Sequence, residues 1–304
     1  MSAHVQGQVE AYWNRKPCDS EFSPRSELSA EFFREVEFER YRLQTHIPAL
    51  LDTIDWAGKR VLEIGTGVGT DARSIIARGG IYTGINVDAG STHATATALE
   101  VFGLPGTVLQ CDATRMQFAD ESFDVVYTFG VLHHIPDAAA ALGQITRVLK
   151  PGGEVLAMLY NRPSINYALE IKVLRRFGVQ VLRMPGAVAA LAKLGLPRAK
   201  LERHRELARA GWRMSEDEWL SRNTDGPDNP YSRVYDEAQA AALFAGFQIK
   251  RQQVFFFNHE HWGPLGRALP RKAVALLGRR WGWHRIVHAC KPAYGARVVR
   301  LPAR

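Results

Sequence analysis

Cysteine is scarce: the chain holds three in 304 residues (Cys18, Cys111, Cys290), far apart and without a CxxC pair. That excludes a disulfide framework and the usual zinc spacings, so no metal site is expected. Long apolar runs are also missing. None approaches the roughly 18–20 residues that span a bilayer, and the longest, 187–196, is interrupted by Lys193. The opening MSAHVQGQVE has no basic segment leading into an apolar one, so no secretory signal is expected and the expected location is the cytoplasm. Repeats and low-complexity tracts are absent as well. Acid is lacking in the back half. The first 160 residues carry 13 Lys and Arg against 20 Asp and Glu, and the remainder 26 against 11, for an overall charge of +8. Such asymmetry means either an anionic partner for the back half or a solvated basic face.

What is present is ordinary globular composition, 46% hydrophobic and 23% charged, in a length that suits one elaborated domain. Between 58 and 160, strands alternate with helices. A short apolar run over 60–64 stops at a glycine cluster, as a buried parallel strand does. Further strands are expected over 81–85, 107–109, 123–129 and 154–160, with helices over 72–78, 94–102 and 138–149. Lys150-Pro151-Gly152-Gly153 is the stop signal of the last helix. This rhythm implies an α/β fold with a doubly wound, mostly parallel, Rossmann-like sheet. It breaks over 161–235. A helix over 237–245 and strands over 247–257 and 283–291 then complete a seven-stranded sheet with one antiparallel member. The expected organisation is an N-terminal helical lid (1–56), a core (57–160 and 236–292), an inserted helical cap (161–235) and a tail (293–304).

The first strand runs into Glu63-Ile64-Gly65-Thr66-Gly67-Val68-Gly69-Thr70. Glycines there let the backbone turn tightly and approach a ligand at a helix N-terminus. The nicotinamide fingerprint GxGxxG is not met, because the third glycine comes one residue early and position 70 is Thr. Glu63 suits a ligand with a positively charged amine and would repel a pyrophosphate. The end of the second strand, where ribose contacts belong, reads Asn86-Val87-Asp88. The third strand ends at Asp112-Ala113, a carboxylate able to accept from an adenine amine. The fourth leads into Gly130-Val131-Leu132-His133-His134-Ile135-Pro136-Asp137 at the carboxyl end of the sheet, where such folds keep their sites.

Four motifs in order, VLEIGTGVG, CDA, FDVVYTFGVLHHIPD and VLKPGGEVL, make residues 60–160 similar to the class I S-adenosylmethionine-dependent methyltransferases. The resemblance is strongest to small-molecule enzymes whose fourth strand ends in a GVLHH loop. AYWNRKPC (11–18), EVEFERY (35–41) and DGPDNPYSRVY (225–235) resemble one subset of them less specifically. The resemblance implies S-adenosyl-L-methionine as cofactor. Glu63, Gly65 and Gly67 would hold its methionine part, with Thr66 and Val87 among the contacts. Asn86 would meet the ribose, Asp112 and Ala113 would bracket adenine, and the Phe129-Gly130 backbone would face the amino group. Tyr12 would belong to the lid. The family usually has Asp where Asn86 stands, so charge assistance to the ribose bonds is lost, with Asp88 on the same side two residues farther out.

Methyl transfer is an in-line displacement for which the protein supplies alignment and water exclusion. A base is needed only for an unactivated hydroxyl. His133 and His134 are the candidates, since imidazole titrates near neutral pH; the alternative is that one packs and the other shapes the pocket. The expected acceptor is a small molecule, natural-product, lipid-like or quinone-like, with Tyr231, Arg233 and Tyr235 as candidate contacts. Asn229-Pro230-Tyr231 lacks the second proline of the motif used by nucleobase-amine methylating enzymes. Two basic amphipathic stretches suit the surface of an anionic membrane or an ordinary cap. In 171–183, Lys172, Arg176 and Arg183 oppose Leu174, Phe177, Val181 and Leu182; in 264–283, Arg267, Arg271, Lys272, Arg279 and Arg280 are interleaved with Leu265, Leu269, Val274, Leu276, Leu277 and Trp281. Nucleic acid is not an expected partner. An RNA methyltransferase stands as one alternative, for the basic back half, and a non-methylating binder of the same cofactor as another, for Asn86.

Overall fold

The computed structural model describes residues 2–193, 198–210, 214–262 and 266–293. Leu196 of the apolar run, Pro264 and Leu265 of the second basic stretch, and 294–304 of the expected tail lie outside the described residues. The strands are β1 (Arg60–Ile64), β2 (Ile81–Asn86), β3 (Thr107–Gln110), β4 (Phe123–Phe129), β5 (Leu149–Tyr160), β6 (Gln248–Phe255) and β7 (His284–Cys290). They form one sheet in the order β3-β2-β1-β4-β5-β7-β6. β1 to β5 are parallel, and β7 runs antiparallel to both of its neighbours. The fold is the doubly wound, seven-stranded Rossmann-like sheet expected from the alternation.

Both faces of the sheet are covered because its central strands are apolar on both sides. Val61, Val125 and Tyr127 point into one core with Trp56 and Ile75, while Leu62, Ile64 and Val126 point into the other with Leu142 and Ile145. The covering helices are α1 (Ser2–Arg15), α2 (Ala30–Leu43), α3 (His46–Leu51), α4 (Thr70–Ala77), α5 (Ala89–Val101) and α6 (Ala138–Val148). The cap contributes α7 (Arg175–Val181), α8 (Ala187–Lys193), α9 (Arg198–Ala210) and α10 (Glu216–Ser221), and the core resumes with α11 (Glu237–Leu243) and α12 (Arg271–Trp281). No described helix is long and apolar enough to cross a membrane.

Three elements depart from the sequence expectation. α5 starts at Ala89 rather than 94, because Asp88 accepts from the Ser91 backbone N–H at 2.7 Å and caps the helix there. β5 starts at Leu149: Phe123 pairs with Leu149 but Val125 with Glu154, so the intervening turn is a bulge within the strand. Its backbone is held by Gly152 and Gly153 exchanging hydrogen bonds with Lys291. The first basic stretch is not one α-helix. A π-helical segment, Asn166–Leu174, precedes α7.

The lid and the cap both close on the carboxyl end of the sheet. Phe32, Phe33 and Val36 of α2 pack on Val68, Ala94 and Ala98, beside the glycine loop. The segment 161–235 leaves and returns at one place, where Tyr235 N–H donates to the Tyr160 carbonyl at 2.8 Å and Arg162 N–H to the Tyr235 carbonyl at 3.0 Å.

Candidate active site

A cleft enclosing about 920 Å³ of open space, mouth included, is lined by the ends of β1, β2 and β4, the segment after β3, and the lid. Its floor is the glycine loop. Gly65 has φ +76°, and a Cβ there would lie 2.1 Å from Val131 Cγ2, so only glycine fits. Glu63, 2% exposed, accepts from the Tyr82 hydroxyl at 2.6 Å. Burial, with the nearby Asp71 carboxylate adding to it, pushes its carboxyl up to about 8. A carboxyl held this way is ready to ionise against a ligand ammonium.

Asp71, at the start of α4, is the anchor of the lid. Arg40 of α2 donates to both of its oxygens (Nε at 3.3 Å, Nη2 at 2.7 Å), and Tyr41 and Tyr127 donate at 3.0 and 2.8 Å. Arg40 also pairs with Asp19 in the loop after α1. One buried guanidinium thus joins α2, α4 and the lid loop at the wall of the cleft.

The end of β2 behaves differently from the expectation. Asn86 Oδ1 accepts from the Thr66 N–H and its Nδ2 donates to the Thr66 hydroxyl, both at 2.7 Å. Its amide braces the glycine loop while the residue lines the cleft. Asp88 is engaged as the α5 cap. Asp112 is held by Thr114, which donates to Oδ1 from both N–H and hydroxyl at 2.8 Å.

A second cavity, enclosing about 860 Å³ of open space with its mouth included, adjoins the first and shares Trp13, Cys18, Asp19, Arg40, Phe129 and Gly130 with it. Its outer wall comes from the cap (Asn166, Glu170, Arg175, Asn223, Asp225) and from β7 and its neighbours (Phe256, Asn258, Trp283, His284). Asp225 is a hub. It accepts from the Tyr160 hydroxyl at 2.7 Å, lies 3.3 Å from His134 Nε2, and through its carbonyl accepts from the Tyr12 hydroxyl at 2.7 Å.

Of the residues picked from sequence, Glu63, Gly65, Thr66, Gly67, Asn86, Val87, Asp112, Ala113, Phe129, Gly130 and His134 all line the first cleft. Tyr12 lines neither cavity; it fastens the lid to the cap loop, and its neighbour Trp13 faces both cavities. His133 lines neither, being fully buried against Tyr160 and His134. Tyr231, Arg233 and Tyr235 also fall outside both. The Tyr231 carbonyl accepts from His134 Nδ1 at 2.8 Å, the Arg233 N–H donates to the His133 carbonyl, and Tyr235 is packed in the core. The residues that sequence reasoning missed are Trp13, Asp19, Arg40, Tyr160, Asp225 and His284.

Fold and cleft together are those of the Rossmann-like methyltransferase fold. The buried acid Glu63, a glycine loop that admits no side chain, and Asp112 beyond the end of β3 meet in that one cleft. Residues 62–157 match the methyltransferase domain family. The chain is similar to a ubiquinone biosynthesis O-methyltransferase of Pseudomonas aeruginosa, 36% identical over 176 residues that make up 56% of this chain and 66% of that one. It is also similar to a sterol 24-C-methyltransferase of Gibberella zeae, 37% identical over 99 residues, 32% of this chain and 26% of that one. The matched part therefore spans just under two thirds of the ubiquinone-type relatives. In fold it is similar to the magnesium protoporphyrin IX methyltransferase of Synechocystis solved with bound SAH, with a TM-score of 0.54 at 14% identity over 94% of this chain and 99% of that one.

Proposed function

We propose that the whole chain is a small-molecule methyltransferase of the GVLHH-loop group, moving the methyl of S-adenosylmethionine onto an acceptor held in the second cavity. The observation that carries this is adjacency: a cofactor cleft and an acceptor cavity share one wall, so two ligands can meet across Phe129-Gly130 and Trp13. When bound, S-adenosylmethionine supplies a methyl carbon activated by its sulfonium. Glu63 holds the ammonium end, Asp112 and Ala113 flank the base, and the Tyr12–Asp225 contact closes the lid against water. The ubiquinone O-methyltransferase relatives favour oxygen as the methylated atom. His133 serves packing; His134 orients the Tyr231–Ser232 turn, to which Nδ1 is bonded. An acceptor cavity enclosed by lid and cap supports a small molecule over RNA, and salt-sensitive RNA binding would reverse that preference. Calorimetric titration with S-adenosylmethionine, followed by detection of its demethylated product, tests the reading. A cleft that takes NADH and not S-adenosylmethionine sinks it.

The cap and α12 also carry surfaces suited to an anionic membrane. Leu169, Val173, Phe177 and Met184 are 42–72% exposed beside Lys172, Arg176 and Arg183, and Leu276 and Trp281 are exposed among the basic residues of α12. Exposed apolar residues flanked by base match an interfacial helix. Cosedimentation with phosphatidylglycerol vesicles at low salt is the check, and no binding removes the membrane contact.

A further inference from the structure

The second cavity has unpartnered hydrogen-bond acceptors in its wall. Asn166 and Asn223 line it and are only 6% and 2% exposed. Their amide nitrogens are committed inward, to Glu170 Oε2 at 3.0 Å and to the Trp219 carbonyl at 2.8 Å. Both amide oxygens are buried with no hydrogen-bond partner among the described residues, and so is Oδ1 of Asn258 on the same wall. Buried acceptors left unmet are costly, and native proteins keep them where a ligand or water will donate. Aromatic faces stand among these oxygens: Tyr160 and Trp283 stack at 4.2 Å, and both border the cavity. Several unmet acceptors beside the Trp283 indole call for a ligand with several O–H donors; Tyr160 is covered on both faces, by His133 at 3.6 Å and Trp283 at 4.2 Å.

A proton acceptor stands on the same wall. His284 is 4% exposed, and its Nδ1 lies 3.0 Å from Nε2 of His46, on α3. His46 is itself fixed by stacking on Phe255 at 5.3 Å. With Nδ1 engaged, Nε2 is the nitrogen left to the cavity that His284 lines. Burial, then the His46 ring and the Arg40 guanidinium, hold His284 well below the usual imidazole range, and burial and Arg40 do the same for His46, so each ring is neutral before any proton is transferred.

We propose that this cavity binds a polyhydroxylated, sugar-like ring with three or more hydroxyl donors, and that the hydroxyl to be methylated gives its proton to Nε2 of His284. The proposal rests on the methyl-transfer reading above. The acceptor oxygen forms the new O–CH3 bond while the S–CH3 bond breaks with its electron pair going to sulfur, and the hydroxyl proton passes to His284. Nδ1–H of His284 donates to His46, which is a positioning residue that fixes the tautomer. A quinol offers two donors and an isoprenoid tail none, so a lipid-like acceptor would leave the Asn166, Asn223 and Asn258 oxygens unmet.

The test uses the full chain saturated with S-adenosylhomocysteine and three probes: a panel of methyl hexosides, catechol, and a short-chain ubiquinol. Saturation-transfer NMR should show at least one hexoside bound and the other two silent. His284→Gln should bind that hexoside within about threefold of wild type but lose methyl incorporation by about 100-fold, the scale of a lost general base. Calorimetry with S-adenosylmethionine serves as its folding control. If His284→Gln loses cofactor binding, His46→Asn carries the test instead, with an expected drop in kcat of about tenfold and KM little changed. Binding and methylation of catechol or ubiquinol, with every hexoside silent, overturns the acceptor class while methyl transfer stands. Turnover by His284→Gln within about threefold of wild type overturns the proton assignment. Failure of wild type to bind S-adenosylmethionine overturns the underlying reading instead.

Discussion

The two cavities share a wall but are built in opposite ways. Apart from its lid residues between 6 and 40, the first cleft is assembled from consecutive strand ends, so its other contacts lie within short segments at 63–71, 85–91, 111–113 and 129–135. The second cavity draws, beyond the shared Trp13 and Arg40, on Tyr160, Asn223 and His284, which meet only after the lid and cap have folded. A site made from local turns tolerates little change because each turn is fixed by backbone geometry. A site made from distant side chains can be re-cut while the sheet stays the same.

The sharpest way to break this comparison is Gly65→Ala. The added Cβ meets Val131 Cγ2 at 2.1 Å on a backbone at φ +76°, so the glycine loop must shift. S-adenosylmethionine affinity should fall by about 100-fold or more, read by calorimetry, an effect of about 3 kcal/mol; affinity kept within about threefold would mean the loop is not the cofactor floor. Next in size is Arg40→Leu. Removing the guanidinium leaves the buried Asp71 and the half-buried Asp19 without their cation. The expected loss is about 3–5 kcal/mol of stability in denaturant unfolding. Since Arg40 borders both cavities, cofactor binding should weaken as well; a loss under about 1 kcal/mol would show that the lid is not anchored there.

That asymmetry also sets what could be read from the chain alone. β1, β2, β4 and the cleft residues announce themselves because each combines an apolar run with a turn signal and a ligand-type side chain at one spacing. Asn86 was legible as a position but not as a partner: its amide is spent on Thr66, which no spacing reveals. In 225–235 the aromatic and basic residues drew attention, yet Asp225 is the one that reaches the cavity. Arg40 and Trp13 lay inside the EVEFERY and AYWNRKPC stretches, whose likeness to relatives was visible without their roles. His284 carried no signal, being one residue in an ordinary strand whose partner, His46, is 238 positions away.

The acid at the floor of the cleft sharpens the comparison through pH. In the free protein Glu63 is protonated below about 8. An ammonium ligand needs its carboxylate, so binding below that pH releases a proton. Affinity for S-adenosylmethionine should therefore rise by about tenfold per pH unit between roughly pH 6 and 7.5, because the carboxylate fraction of Glu63 rises by that factor. Glu63→Gln should bind weakly with no such slope. A wild-type affinity flat over that range would mean that the ligand amine is held elsewhere.

The smallest effect concerns the seam between the two cavities. The Tyr12 hydroxyl donates to the Asp225 carbonyl at 2.7 Å, while Asn14 Oδ1 accepts from the Gly90 N–H at 2.8 Å and Glu10 from the Gln110 amide at 3.4 Å, so α1 is fastened to the cap through Tyr12 and to the core through Asn14 and Glu10. Tyr12→Phe removes only the first of these and keeps the ring, which packs edge-on to Trp13. One neutral hydrogen bond is worth about 0.5–1.5 kcal/mol, or roughly 2- to 10-fold in a rate or equilibrium. The loss should appear in lid opening, because the sheet does not depend on α1. Stopped-flow release of S-adenosylhomocysteine should then speed up by that factor, with the unfolding midpoint almost unmoved. If release is unchanged while acceptor KM rises, the contact shapes the cap loop and does not latch the lid, and the two cavities open independently.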